Sequence, residues 1–248
     1  MSRFENYYSK VLSRVFKTIN PIKKRIISTQ CVVHQFINLQ GLIILKNDGY
    51  LEASEFLSKY IRDINKGAIW ADQDFKSSSH FYNPEKDRGL YGRSNAKKEC
   101  IGYYSDAINS YYKGDISRAM FFLGAAAHLM QDMTVPQHVI VKLAGHHRKY
   151  EQWVIKEYKE KTEFKIYSNG IYLNSIVEYI DYNTKIAYST YKRYLGERDL
   201  NKLFYETTLI TLSAAERTTA GVFLKFYNDI KKLDEMKNKG TSSGSCHS

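Results

Sequence analysis

Two pairs of residues in the middle of the chain have the types and the spacing of metal ligands. His128 and Asp132 are four residues apart, and His147 and Glu151 repeat that spacing further along. Residues i and i+4 lie on the same face of a helix, so each pair can direct a nitrogen and an oxygen at one point. Nitrogen and oxygen ligands without thiolate are typical of zinc, and such sets leave positions open for water, as catalytic sites require.

A third histidine strengthens this interpretation. His138 follows Pro136, where a helix must break, so its ring can turn towards either pair. One His-x3-acid pair arises often by chance and can be only a contact on a helix surface, and a single histidine on an apolar face is usually a core residue. Two pairs and a third histidine in one short segment favour a metal site over both of those alternatives.

Three more candidates lie upstream of this segment. His34 interrupts an apolar run, His80 lies in 77-SSSHFYNP-84, and Asp72 lies in 67-GAIWADQD-74. Alone, each has an ordinary explanation, because a loop acid is usually just solvated. The stretch 67–93 is irregular and long, and a long loop in a compact domain is more often functional than idle.

The elements that must position these residues are mostly helices. The 248 residues are 43% hydrophobic and include only three prolines, which favours one large domain of long helices. The sequence 164-FKIYSNGIYLN-174 has alternating runs on either side of Asn169-Gly170, which predicts a small β-hairpin. Apolar periodicity and stop signals predict helices over roughly 26–45, 51–65, 94–113, 116–133, 147–161, 175–195 and 199–235.

The ends of the chain and its charge suggest partners. The net charge of +11 fits phosphate esters, anionic lipid surfaces or nucleic acid, although it can also serve only solubility. Residues 1–25 predict a basic amphipathic helix that either makes a peripheral contact with an anionic membrane or packs on its own domain. Residues 239–248 are predicted to be a disordered tail. No apolar run reaches the length of a membrane span and no secretory signal is recognisable, so an intracellular or peripheral membrane location is expected.

At this point the residues resemble the zinc-dependent phospholipase C family, which includes bacterial phosphatidylcholine-hydrolysing enzymes and the catalytic domain of the clostridial alpha-toxins. The resemblance runs through 34-HQFINLQGLIILKND-48, 80-HFYNP-84, 120-MFFLGAAAHLMQDMTVPQH-138, 147-HRKYE-151 and 215-AERTTAGVFLKFYNDI-230. It implies an all-α, single multi-helix domain over 26–238, built around a multinuclear zinc cleft and acting as a monomer. It also implies phospholipid substrates, whose glycerol-side phosphodiester is hydrolysed by metal-activated water.

The resemblance also implies a role for each candidate residue. One zinc would be held by His80, His128 and Asp132, and a second by His138, His147 and Glu151. Asp132 would bridge to a third zinc that His34 also binds. Asp72 matches the acid beside the cluster that is the family's proposed general base and that sometimes lies near a zinc. His146 and His247 are left without a role.

Two departures from the family's pattern bear on the site. In the secreted enzymes the mature chain begins with a tryptophan whose terminal amine and carbonyl bind the third zinc, whereas here the matching position lies near 23–25 and has no tryptophan. Cys31 lies three residues before His34, so its thiolate is a hypothetical replacement ligand; the alternative is a small buried hydrophobic residue. Choline-preferring relatives have aromatic residues where this chain has Gln73 and Ser77, so an aromatic cage is not expected.

Two alternative functions remain open from the sequence. The motif spacing is shared in outline with the three-zinc nucleases that act on single-stranded nucleic acid, and the positive charge suits such a substrate. The other alternative is a non-catalytic binding protein in which zinc only stabilises the fold. The presence of both Asp72 and the ligands of the second zinc favours an enzyme. A structural zinc site needs neither open coordination positions nor a general base.

Overall fold

The computed structural model describes residues 31–73, 80–87, 89, 95–140 and 146–242, with only the backbone described for 238–242. The predicted N-terminal helix over 1–25 and His247 lie outside these residues. The helices are α1 (Val32–Asn47), α2 (Leu51–Ser58), α3 (Ile61–Ala71), α4 (Ala96–Tyr112), α5 (Ile116–Asp132), α6 (Pro136–Val139), α7 (His147–Glu157), α8 (Ile176–Arg193) and α9 (Leu200–Ser242).

The helices begin and end where the sequence provides capping residues. The side chains of Asn95, Asp115 and Ser175 accept hydrogen bonds from backbone N–H groups in the first turns of α4, α5 and α8. Gly49 and Gly114 follow α1 and α4 with φ angles of 92° and 84°, a conformation that glycine adopts without strain. These local signals explain why the predicted mostly helical fold is confirmed.

Two predicted boundaries differ from the structure. The helix predicted over 51–65 is split into α2 and α3, and α3 continues to Ala71. At the other end, α9 extends to Ser242, into the segment predicted as a tail; residues 243–248 lie outside the described part of the chain. The extension of α3 matters for function, because it carries Asp72 at its C-terminal end.

The predicted β-hairpin at 164–174 is wrong: the described residues contain no strand, and a 3-10 helix (Thr162–Phe164) occupies the start of this segment. The backbone N–H groups that would pair across a hairpin are bonded elsewhere. Those of Asn169 and Gly170 donate to the Asp48 carboxylate at 2.8 and 2.7 Å, and that of Ile171 donates to the carbonyl of Arg217 at 3.1 Å. Bonding to α1 and α9 therefore replaces bonding between two strands.

The helix α5 lies at the centre of the fold and is buried continuously from Leu123 to Asp132. It packs closely on α3, because each helix has a glycine at the contact. A Cβ atom added to Gly67 would lie 1.7 Å from the carbonyl oxygen of Phe121, and one added to Gly124 would lie 1.8 Å from that of Ile64. This close approach brings the C-terminal end of α3 beside the last turns of α5.

A second apolar cluster lies where α1, α7 and α9 meet. Ile37, Tyr150, Phe204 and Leu212 are buried in it, together with side chains around Phe164. This cluster fixes α7 against the rest of the domain, so His147 and Glu151 face the end of α5. Among the residues described, none of the helices combines the length and the apolar character needed to cross a bilayer.

Candidate metal centre

Five helices and one loop bring the predicted ligands to a single place. Asp132 lies at the C-terminal end of α5 and is almost fully buried. Its Oδ2 atom is 2.8 Å from Nδ1 of His80, which comes from the loop after α3, and 3.3 Å from Nε2 of His128. Its Oδ1 atom is 3.5 Å from Nε2 of His34 on α1. Residues far apart in the sequence therefore surround one carboxylate.

A second group lies at the start of α7. Nε2 of His147 is 2.9 Å from Oε1 of Glu151 and 3.0 Å from Nε2 of His138, which is carried by α6. Nε2 of His138 is 3.9 Å from the same Glu151 oxygen, and its Nδ1 is 3.5 Å from Oδ2 of Asp132. Because His138 contacts both carboxylates, it connects the two groups.

The donor atoms fit zinc. A tetrahedral zinc with bonds of about 2.0 to 2.1 Å to nitrogen and oxygen keeps its ligand atoms about 3.3 Å apart. The distances around Asp132 and Glu151 are close to that value, and Nδ1 of His80 is 3.4 Å from Nε2 of His128. Three groups have ligand atoms that all lie within 4.8 Å of one another: His34, His128 and Asp132; Asp72, His80 and His128; and His138, His147 and Glu151.

Hydrogen bonding also favours a cation at this position. Nε2 of His80 lies 2.9 Å from the carbonyl oxygen of Ala71, which can only accept, so the proton is on Nε2 and the Nδ1 lone pair faces Asp132. Oδ2 of Asp132 is buried and makes no hydrogen bond with any other described residue. A buried carboxylate oxygen facing ring nitrogens is costly unless a positive charge lies between them.

Burial and neighbouring charges set the protonation of these groups. Burial raises the pKa of Asp72 to about 6, and the charge of His34 only partly offsets it. Burial, followed by the charge of His128, lowers the pKa of His34 to about 4. Burial also acts to raise the pKa of Glu151, but the interactions with the nearby His138 and His147 rings outweigh it and lower that pKa to about 2. Burial acts to lower the pKa of His138, but the charge of Asp132 outweighs it and raises that pKa to about 10. At neutral pH the metal-free site therefore combines ionised carboxylates with a neutral His34 and a protonated His138, and a bound cation would take the place of that proton.

A cavity of about 280 Å³ opens onto the cluster. All the predicted site residues except His128 and Cys31 line it, and His128 is buried beneath them. The opposite wall is apolar and comes from α1, α7 and α9; it consists of Val33, Ile37, Val154, Ile155, Leu212 and Ala215. The hydroxyl groups of Tyr150, Thr208 and Thr211 are the polar part of that wall.

Cys31 is buried at the N-terminal end of α1. Burial, with the charges of Asp72 and Asp132, raises the pKa of its thiol, so the thiolate is disfavoured without a metal. Cys31 does not belong to any of the three ligand groups found in the described residues. Its proposed role as a ligand therefore gains no geometric support.

Several polar residues around the site carry little signal in the sequence. Gln131 hydrogen bonds to His34, and Thr208 and Thr211 surround the hydroxyl of Tyr150 at 3.3 and 3.2 Å. The one available signal was Gln131 itself, a polar residue between the mostly apolar stretch 123–130 and Asp132. His146, which the sequence left without a role, lies outside the ligand groups, with its ring 6.5 Å from that of Phe204.

Comparison with known proteins shows the family of the chain. The model of the family described as zinc dependent phospholipase C matches residues 33–217. The chain belongs to the zinc-dependent phospholipase C family. It is therefore a phospholipid-hydrolysing phospholipase C with zinc as its metal, as the resemblance implied.

Individual relatives cover most of the chain. The phospholipase C of Listeria monocytogenes is 30% identical over 84% of this chain and 80% of its own length. The phospholipase C of Clostridium perfringens is 24% identical, and this chain spans 59% of that longer protein. The crystal structure of the Clostridium perfringens alpha-toxin from avian strain SWCP superposes with a TM-score of 0.69 at 20% identity, covering 80% of this chain and 63% of the toxin chain. The superposition shows the shared helical fold.

Proposed function

We propose that the 280 Å³ cavity is the site at which this phospholipase C hydrolyses the glycerol-side phosphodiester of phospholipids. The observation that carries the proposal is the convergence of two His and carboxylate groups on one cavity beside Asp72. A site that served stability alone would have no use for a cavity next to its ligands. The products would be diacylglycerol and a phosphorylated head group.

The proposed ligand assignment is the one that the family resemblance implies, and the distances around the two carboxylates support it. His80, His128 and Asp132 would hold one zinc, and His138, His147 and Glu151 a second. His34 and Asp132 would hold a third. When bound, zinc offsets the charge of the phosphodiester and lowers the pKa of a coordinated water towards about 7.

Asp72 is proposed as the general base. It lies at the C-terminal end of α3, within 4.8 Å of ligand atoms of His80 and His128. Burial makes its carboxylate more basic than a solvated one while leaving it mostly ionised at neutral pH. The carboxylate would take the proton of the attacking water as that water adds to phosphorus.

The apolar wall is proposed to receive the glycerol side of the lipid. Ile37, Val154 and Leu212 come from three different helices and face the ligands across the cavity. Burial of the first carbons of the acyl chains against such a wall would place the phosphodiester between the wall and the metal ligands. The head group would then lie towards Asp72 and the cavity opening.

One pair of variants tests the role of Asp72. Asp72→Asn should lower kcat on a short-chain phospholipid by about a hundred-fold or more while zinc content and folding are kept. Asp63→Asn is the matched control, because Asp63 is an acid of the same helix whose side chain accepts hydrogen bonds from Lys66 and Ser117 at the surface. If Asp72→Asn and the control have equal rates, Asp72 is not the general base.

A substrate panel tests the reaction itself. Zinc-loaded protein should release phosphorylated head group from short-chain phosphatidylcholine or phosphatidylethanolamine and should leave single-stranded DNA intact. Clear cleavage of DNA without lipid turnover would identify the nuclease alternative. Failure to cleave either class would favour the zinc-stabilised binding protein.

A further inference from the structure

Gln131 is a buried polar side chain next to the metal centre that the proposed reaction does not use. It lies in the last turn of α5, immediately before Asp132, and is 1% exposed. Its Oε1 atom is 2.8 Å from Nδ1 of His34 on α1. Its Nε2 atom is 2.9 Å from Oδ1 of Asn38 and 3.0 Å from Oγ1 of Thr219. The amide therefore has a partner for its oxygen and for both of its hydrogens.

This arrangement decides where the proton of His34 lies. An amide oxygen can only accept a hydrogen bond, so Nδ1 of His34 must donate to Gln131. The neutral ring then has its lone pair on Nε2, which is the nitrogen 3.5 Å from Oδ1 of Asp132. Metal-binding histidines commonly donate from the other ring nitrogen to a fixed oxygen, which holds both the tautomer and the ring orientation.

The orientation of the amide is itself supported by a chain of side-chain amides. Asn38 accepts from Gln131 through Oδ1 and donates from Nδ2 to Oδ1 of Asn65 on α3, at 3.0 Å. Rotating the Gln131 amide would require Asn38 and Asn65 to rotate as well. The reversed chain would place the His34 proton on Nε2, directed at Asp132, and a protonated nitrogen cannot bind a metal ion.

We propose that Gln131 is a positioning residue that keeps the His34 proton on Nδ1, so that Nε2 binds the ion shared with Asp132. The binding of the ion by Nε2 rests on the proposed function, whereas the tautomer of His34 exists with or without zinc. The hydrogen bonds of Gln131 and Asn38 connect the proposed third ion site to the centre of the fold through α1, α3, α5 and α9.

The tautomer can be read directly by NMR. The full chain, labelled with ¹⁵N-histidine and supplied with zinc, should give long-range ¹H–¹⁵N correlations in which His34 carries its proton on Nδ1. The His34 signals are assigned by their loss in His34→Asn. Gln131→Glu keeps an acceptor oxygen and should keep this pattern, whereas Gln131→Met has a similar shape without an acceptor and should lose it.

Zinc binding provides the second readout. In competition with a chromophoric chelator, Gln131→Met should bind one zinc ion per chain about ten-fold to a hundred-fold more weakly than the wild type. The zinc affinity of Gln131→Glu should remain close to that of the wild type. Thr219→Val is the matched control, because it removes a partner from the other side of the amide and leaves the Oε1 acceptor in place. It should keep both the Nδ1 proton and the zinc affinity.

The two proposals fail in different ways. If the wild-type chain binds no zinc but His34 carries its proton on Nδ1, the metal assignment fails and the role of Gln131 in holding the tautomer stands. A proton on Nε2 of His34 in the wild type overturns the inference, and that spectrum needs no variant to fold. Wild-type zinc affinity in a folded Gln131→Met chain overturns it as well.

Discussion

Glu216 offers a quantitative test of how burial controls stability in this protein. It lies in the middle of α9 and is 0% exposed. Its Oε2 atom accepts a hydrogen bond from the backbone N–H of Ile166 at 2.7 Å, and its Oε1 atom has no hydrogen-bond partner among the described residues. Burial raises the pKa of this carboxyl to about 8, and the Ile166 bond and the charge of Arg217 oppose the rise only in part.

The sign of the effect follows from the two pKa values. In the unfolded chain Glu216 titrates near its ordinary pKa of 4.5. Between pH 4.5 and about pH 8 the unfolded chain has released this proton and the folded chain still holds it, so raising the pH favours unfolding. Each pH unit in this range lowers the free energy of unfolding by about 1.4 kcal/mol. The loss over the whole range is on the order of 5 kcal/mol, and there is no further loss above it.

The perturbation is Glu216→Gln, which keeps an oxygen acceptor for Ile166 but cannot ionise. Near pH 4.5 the variant and the wild type should have similar free energies of unfolding. Near pH 8 the variant should be more stable by about 5 kcal/mol, because the wild type alone carries the cost of keeping a proton that its unfolded state releases.

The assay is urea unfolding followed by circular dichroism over this pH range, at a fixed zinc concentration. The difference between the two proteins cancels the titration of the histidines, which both share. Glu235→Gln, at an exposed position of the same helix, controls for the loss of a negative charge. If the wild type and Glu216→Gln have parallel pH profiles, the carboxyl is not held protonated by burial and the reasoning is refuted.

Three further predictions concern packing, the 165–172 segment and the metal. Gly124→Ala should lower the free energy of unfolding by about 3 kcal/mol in urea titrations, because its Cβ would clash with the backbone of α3; Gly102→Ala, where the Cβ meets nothing within 4 Å, should be neutral or slightly stabilising. Asp48→Ala should cost about 2 kcal/mol by thermal unfolding and speed proteolysis within 165–172, because the N–H groups of Asn169 and Gly170 lose their acceptor; unchanged proteolysis would contradict this. Chelation of zinc should lower the melting temperature and re-addition should restore it, since binding to the folded state alone stabilises that state; a melting temperature insensitive to chelator would count against a site in the folded chain.

Sequence alone determined the features that depend on neighbours along the chain. The i, i+4 pairs His128 with Asp132 and His147 with Glu151 share helix faces in any helical fold, and the break at Pro136 frees His138 from both helices. Apolar periodicity and stop signals likewise predicted most helices, because helix formation is decided largely by local signals. The family resemblance rested on these same local patterns, and the family match confirms it.

Tertiary structure decided what local spacing cannot express. Asn169-Gly170 favours a hairpin by its own preference, but the acceptors on α1 and α9 are better placed for its N–H groups, so no strands form. The closeness of Asp72 and His80 to α5 depends on the close approach of α3 to α5, where Gly67 lies against Phe121 and Gly124 against Ile64; no local pattern identifies these partners. Distances between helices are set by how side chains pack across the whole domain. The candidate ligands could therefore be predicted from the sequence, but only the packing of the helices brings them within reach of one ion.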